Sequence, residues 1–446
     1  MVALLKPAVR NPAGGRATVA SGRWPLAAAL AVWALIALAG HLLGAALYDR
    51  DPLVHIGAAP FVGTFDLRWS ARVWPALALG GAAIAWAPVV AARLRWGALL
   101  VAGWVVAAGW AVALAATDGW HAIAAPLLSP YDQLTAVPLV GSPGHFLATF
   151  TDLLPTYATH VRGHPPGGVM VLWGLDAIGL GGAAAAATVT IGVGAVTAPA
   201  VLVAVRALAG EAQARAAAPF VVFTPAAVWM ATSLDALYAG VSAVGIALFA
   251  VACGEPRRGA ARSRSVLHAL AAGLVLGIAL QLSYGVATLG AVVLAIAVGR
   301  RRPGAVVWAA TGVAIVLGAF AAVHFNWFDG FAATREEYLA GVSRRRPYAD
   351  FLLISLAAFA LAAGPALAAG LARLRDRGAW LLAGGALVAL AAADLSGMSK
   401  GETERIWLHL VPWVLVATVA LRGSRGWLAT QVGLALALQL TVRSPW

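Results

Sequence analysis

At 446 residues, with 61% hydrophobic and 11% charged side chains, the chain is far too apolar for an ordinary water-soluble domain, in which roughly a quarter of residues are charged. Its net charge of +13 would suggest nucleic acid in a soluble protein, but here the basic residues punctuate apolar runs of bilayer length, so no nucleic-acid partner is expected. A single cysteine, Cys253, excludes an internal disulfide framework and a cysteine-based metal site.

Residues 1–23 form a basic tail with Lys6, Arg10, Arg16 and Arg23, which places the N-terminus in the cytoplasm. The apolar run at 24–47 exceeds the usual 7–15-residue core of a cleaved signal peptide and reads as an uncleaved first helix. Further spans are expected at 73–92, 96–117, 183–205, 216–232, 236–253, 265–281, 284–298, 304–323, 351–372, 379–393, 408–421 and 426–441. That makes thirteen, with the C-terminus outside. The pair 265–281 and 284–298 reads as two short helices of about 24 Å each. Their hinge, Gln281-Leu-Ser-Tyr284-Gly285, could then lie below the outer surface and line a cavity. No polar stretch is long enough to fold by itself. The predicted class is an all-α polytopic membrane protein, with residues 24–446 a single transmembrane domain.

Segment 166–180 is read differently. Counting it as a span would put Arg206, Arg215 and every later basic cluster outside, against the positive-inside rule. Asp176 and the glycines at 179, 181 and 182 also make it a poor span. It is expected to lie in, or dip into, the outer interface. On this topology the inner loops and tail hold 20 basic residues against three acids, and the outer side holds 11 against 15. Anionic headgroups suffice as partners for the inner clusters. The gathered outer acids need another explanation.

Four outer loops result, at 48–72, 118–182, 324–350 and 394–407. The first, with Asp49, Asp51, His55, Asp66, Arg68 and Arg72, reads equally well as a solvated hairpin. The second is the longest polar segment, and such loops inside a membrane protein are more often functional than spacers. It opens on Asp118-Gly-Trp, continues through Tyr131-Asp132-Gln133 and closes on His160-Val-Arg162-Gly-His164-Pro-Pro-Gly167. The paired prolines stop a helix and bracket Arg162 and His164, while Gly167 and Gly168 permit close backbone approach. Asp235 in TSLDALYAG stands at an outer helix boundary, where an acid also serves as an ordinary cap. The third loop carries the triple arginine 344–346 on the side where topology does not call for it, and a phosphate is the natural partner. The fourth, SKGETER, holds Lys400, Glu402, Glu404 and Arg405 between apolar runs.

Carboxylates beside Arg and Lys on an outer face suit group transfer from a lipid phosphate. A carboxylate can take the proton of an attacking hydroxyl, and cations can stabilise the departing phosphate. No Gly-rich nucleotide-binding loop is present, so an activated donor would have to arrive in the lipid phase. The external acidic loop, the HPPG turn, the SLDALYAG segment and the SKGETER loop resemble the GT-C superfamily of integral-membrane glycosyltransferases. The likeness is greatest to the protein mannosyltransferase and aminoarabinose-transferase type and to actinobacterial cell-envelope members. It is architectural over most of the chain and motif-level over about a tenth of it. Two helices more than usual precede the acidic loop, and the C-terminal extracellular domain of many members is lacking.

The resemblance implies a polyprenyl-phosphate-linked sugar donor, inversion at the anomeric carbon, and a site on the extracytoplasmic face of a bacterial plasma membrane. The acceptor would be an envelope glycan, lipid or protein. Asp132 or Asp118 would be the catalytic base, Asp132 being preferred because it lies inside the loop that HPPG closes. Lys400, Arg405, Arg346 and His164 would hold the donor phosphate. Glu402, Glu404, Asp235, Arg162 and Tyr284 would contact substrate. No cofactor is required; a divalent metal is compatible with the carboxylates, but no ligand spacing indicates one. The alternative is a transporter or flippase of lipid-linked sugars, which internal repeats and charges near the midplane would favour. No convincing repeat is present, and the ionisable residues gather at the outer boundary instead. A non-catalytic scaffold is the third reading.

Overall fold

The computed structural model describes residues 23–231, 233–254 and 260–445. Among these, eight helices are long and apolar enough to cross a membrane, or nine if one bent pair is a single span. The chain is a helical, multi-pass membrane protein. Lys6, Arg10, Arg16, Arg257 and Arg258, which contribute to the predicted charge asymmetry, lie outside the described residues.

Helices Arg23–Arg50, Trp74–Arg93, Trp96–Ala115, Asp235–Gly254, Pro303–Ala322 and Arg377–Leu395 fall on predicted runs. Helices Ala183–Ala195 and Thr197–Ala209 together form one span-length rod, Ala183–Ala209. One expectation is corrected here. Residues 265–281 do not form a short half-span, because the helix runs over Ala260–Leu282, about 34 Å at 1.5 Å per residue.

Elsewhere the backbone breaks where its chemistry demands. Gly364 adopts φ 80°, a left-handed conformation that favours glycine, and Pro365 follows. Helices Tyr348–Ala363 and Pro365–Arg373 meet there at 86°. Helix Glu211–Val222 stops before Thr224-Pro225, and the chain continues as the 3-10 segment Pro225–Trp229. Residues 284–298 form the 3-10 turn Tyr284–Leu289 and the short helix Gly290–Arg300. The run at 408–421 contains only the helix Val411–Val414 and the 3-10 segment Leu415–Leu421. The last helix is Arg425–Thr441.

Helix Asp235–Gly254 sits centrally, buried on nearly every face. Glycine and alanine bring neighbours close, as association inside a bilayer favours. A Cβ on Gly240 would collide with the Val193 carbonyl, and one on Gly273 with that of Ala309. Large apolar side chains such as Leu35, Trp86, Val101 and Ile315 remain exposed on the bundle's perimeter, where lipid would cover them.

The two ends of the bundle differ in chemistry. At one end Arg215 donates to Glu211 and to the carbonyls of Ala91 and Leu94, Arg206 pairs with Glu211 and stacks on Trp96, and Arg300 donates to the Leu208 carbonyl. At the other end all four predicted outer loops meet. Arg68 bridges to Asp118, Arg162 to Glu337, Arg345 to Asp51, and Lys400 to the carbonyls of Ser343 and Arg346. Here, too, residues Thr64–Phe65 pair antiparallel with Val442–Arg443, so the end of the last helix returns to the loop that follows the first.

Candidate active site

Around His160–Gly168 the chain forms a short helical turn, Thr159–Arg162, and then the short apolar helix Gly167–Ala177. The two prolines part them. Gly167 is sterically required, because a Cβ there would strike the Gln281 carbonyl, and one on Gly168 would displace Oε1 of Gln133. Close seating brings Gln133 Nε2 to 2.7 Å from Tyr238 Oη, and the His164 ring onto Tyr238 with centroids 5.4 Å apart.

Arg405 is the hub of what assembles there. Its Nη1 donates to Asp235 Oδ2 at 2.7 Å, and its Nη2 reaches both Glu402 Oε2 and His160 Nε2, the latter at 3.1 Å. A guanidinium has only donors, so Nε2 of His160 must accept. The ring proton therefore sits on Nδ1, which faces Asp132 Oδ2 at 3.3 Å. Asp235 also accepts from Ser233 Oγ at 2.6 Å, and its Oδ1 lies 3.6 Å from His164 Nε2. The result is a chain from Asp132 through His160 and Arg405 to Asp235 and His164, with all but His160 buried. Asp235 is thus more than a helix cap.

Glu402 joins the network through its backbone. It adopts φ 63° directly after Gly401 at φ 85°, and this left-handed pair turns its carboxylate back onto Arg405. Burial would raise the Glu402 carboxyl, but Arg405 first, then Arg346 and His160, hold it below the ordinary range. Burial would likewise lower the Arg405 guanidinium, yet Glu402 and Asp235 hold it above its usual value.

Several expected phosphate and substrate contacts are otherwise engaged. Arg346 donates from Nε and Nη2 to the Val54 carbonyl and from Nη1 to that of Lys400. Lys400 Nζ donates to Ser343 O at 2.5 Å and to Arg346 O at 2.9 Å. Burial, then Arg346, lowers its ammonium group. Both cations clamp loops together instead of facing a ligand. Tyr338 completes the clamp by accepting the Lys400 N–H, and burial pushes its hydroxyl up to about 12. Arg162 is held by Glu337. Tyr284 packs among Trp327 and Phe331, and Glu404 is fully buried, so neither faces an open site.

Asp118 belongs to a different constellation from Asp132. It lines an open cavity of about 480 Å³ together with Asp66, Arg68, His121, Gln439 and Arg443. Its Oδ2 accepts from Arg68 Nη1 and, at 3.2 Å, from Gln439 Nε2. Arg68 is fixed by the carbonyls of Gln439 and Val442, each at 2.6 Å. Ser129 contributes to the cavity wall, and its carbonyl accepts the Asp132 N–H. One turn of chain therefore links the cavity to the buried network.

No family model and no curated protein matches this chain.

His160, Arg68, Ser233 and His121 are the site residues that sequence reasoning missed. The i, i+4 spacing of His160 and His164 was available as a signal, since it stacks two side chains on one face of a helical turn. Nothing in the sequence marks Arg68, whose partners are Asp118 and the carbonyls of Gln439 and Val442, far away at the C-terminal end of the described chain. Among the described residues no three His, Cys, Asp or Glu side chains are grouped to share a metal ion. Chemically, the arrangement offers a partly buried carboxylate at an open cavity, backed by an ionic scaffold.

Proposed function

We propose that the chain is an integral-membrane glycosyltransferase of the GT-C type, moving a sugar from a polyprenyl-phosphate-linked donor to an extracytoplasmic acceptor of the bacterial cell envelope. One observation carries the reading. Residues separated by up to 273 positions in sequence, Asp132, His160, His164, Asp235 and Arg405, converge with the Asp118 cavity at the acid-bearing end of a membrane bundle. A scaffold protein has no need of such a network beside an open cavity.

The basic end then faces the cytoplasm. The return of the last helix to the loop after the first requires an odd number of crossings, a parity that the proposed thirteen share with other odd counts. In the reaction the acceptor hydroxyl oxygen attacks the anomeric carbon, the bond to the phosphate oxygen breaks, and the hydroxyl proton passes to a carboxylate. Asp118 is the better-placed base, because it lines the cavity while Asp132 is closed off by His160. Asp132, His160, Asp235 and Glu402 position Arg405 and lock the loops that shape the cavity. A base within reach of its proton contributes roughly 10²–10⁴-fold.

The test is transfer of radiolabelled sugar from a polyprenyl-phosphate donor in membranes containing the parent, Asp118→Asn or Asp132→Asn. Loss in Asp118→Asn with a milder defect in Asp132→Asn supports the assignment. Full transfer by both variants contradicts it. Donor translocation without a glycosidic product would establish the flippase instead.

A further inference from the structure

One wall of the cavity at the acid-bearing end is an extended segment, residues 64–69. Thr64–Phe65 pair with Val442–Arg443, and the Asp66 and Arg68 N–H groups donate to the Thr441 and Leu440 carbonyls at 2.9 and 2.8 Å. Successive side chains of extended backbone point to opposite faces. Asp66 and Arg68 accordingly line the cavity, whereas Phe65, Leu67 and Trp69 do not, and are 56, 77 and 67% exposed. We propose that this segment is a sill sunk in the adjoining membrane leaflet, covered on its apolar face by lipid acyl chains, over which a lipid-linked substrate enters the cavity sideways.

Depth is the first argument. The cavity lies at the ends of spans, not beyond them: Ala115 and Asp118 close the span Trp96–Asp118, and Gln439 belongs to the last helix, Arg425–Thr441. Trp69 stands two residues before the span Ala71–Arg93, and Trp120, largely exposed, two residues after Trp96–Asp118. Tryptophans at span ends mark the level of the bilayer interface. Phe65 sits lower. Its ring meets that of His41 edge-on with centroids 6.0 Å apart, and His41 lies about 13 Å before the end of helix Arg23–Arg50 at 1.5 Å per residue.

Continuity is the second argument, and it selects lipid as the occupant. Helix Trp74–Arg93 follows the sill and leaves Trp74, Trp86, Val89 and Val90 exposed on the bundle's perimeter, so the sill extends a surface that acyl chains already cover. In water, three large apolar side chains among five consecutive residues would invite association. The two faces also divide the work. The inner one offers a carboxylate and a guanidinium to a headgroup while the outer one keeps the chains in hydrocarbon.

Site-directed spin labelling of the full-length chain in proteoliposomes tests the sill. Cys253 is buried, so Leu67→Cys and Asp66→Cys each present one reactive thiol. Oxygen, which concentrates in lipid, should relax the label at position 67 more than a water-soluble nickel chelate does, and the order should reverse at position 66. Trp69→Cys repeats the measurement if Leu67→Cys does not fold. A label at 67 reached better by the chelate lies in water, and one shielded from both reagents lies under protein, a second copy or another partner; either result overturns the proposal. Entry over the sill rests on the transfer reaction proposed above. Leu67→Asp/Trp69→Asp should raise KM for the polyprenyl-phosphate donor several-fold while kcat falls less, and a parental KM overturns the route. The labels report without turnover, so a chain that transfers no sugar still decides where the sill lies.

Discussion

Replacing Arg405 by methionine keeps most of the side chain's bulk and removes its charge. Arg405 and Asp235 each expose only 5% of their side chains, and their 2.7 Å bond is reinforced on the other edge of the guanidinium by Glu402. Removing one member of a buried ion pair costs about 3–5 kcal/mol, chiefly because the abandoned charge stays buried. Here two carboxylates lose their cation, so the upper part of that range, about 4–5 kcal/mol, is expected. Asp235→Asn keeps an acceptor for the guanidinium and should cost less, about 1–3 kcal/mol. The triple variant Arg405→Met/Asp235→Asn/Glu402→Gln carries none of the three charges and should recover most of the loss. Denaturation in mixed micelles, followed by tryptophan fluorescence, measures each step. If Arg405→Met is within about 1 kcal/mol of the parent, the hub is not the keystone of these loops.

Other outcomes follow from the same contacts. Gly167→Ala should destabilise by about 1–3 kcal/mol through overpacking against backbone, whereas Gly174→Ala, with nothing near its added methyl, should be neutral or mildly stabilising in the same titration. Lys400→Met removes the side-chain donor shared by the Ser343 and Arg346 carbonyls, and limited proteolysis should cut residues 341–347 faster than in the parent. The Glu402 carboxyl is depressed in the fold, so its stabilising contribution is complete above its unfolded value of about 4.3 and vanishes as pH falls through its folded value. Acid unfolding profiles should therefore lose part of their steepness in Glu402→Gln.

Apolar runs and basic punctuation located the helices because bilayer thickness and leaflet charge act on composition, which one sequence displays in full. Breaks within the runs were signalled less clearly. Gly364-Pro365 and Thr224-Pro225 do mark them, but the 86° bend at the former depends on packing that no local pattern encodes. The length of Ala260–Leu282 was underestimated because its first turns, with Arg262 and Arg264, are too polar to resemble a span. In the site, the convergence of His164, Asp235 and Arg405 was legible from helix-end position and charge. The separation of Asp118 from Asp132 was not, since both occupy one loop. Likewise Lys400 and Arg346 look like ligand contacts in sequence, yet backbone carbonyls contributed by distant loops claim them. A sequence does not display which carbonyls a fold brings within reach of a cation.

The central claim is that the open cavity at the acid-bearing end is where a glycosidic bond is made. Its most direct test uses purified chain in proteoliposomes with a polyprenyl-phosphate sugar labelled in the sugar, and envelope glycan extract as acceptor. The account predicts a glycosidic product formed at least roughly 10²-fold more slowly by Asp118→Asn than by the parent, with variant and parent equally well folded. Product formation by Asp118→Asn at the parental rate, or no product above protein-free liposomes, would contradict it.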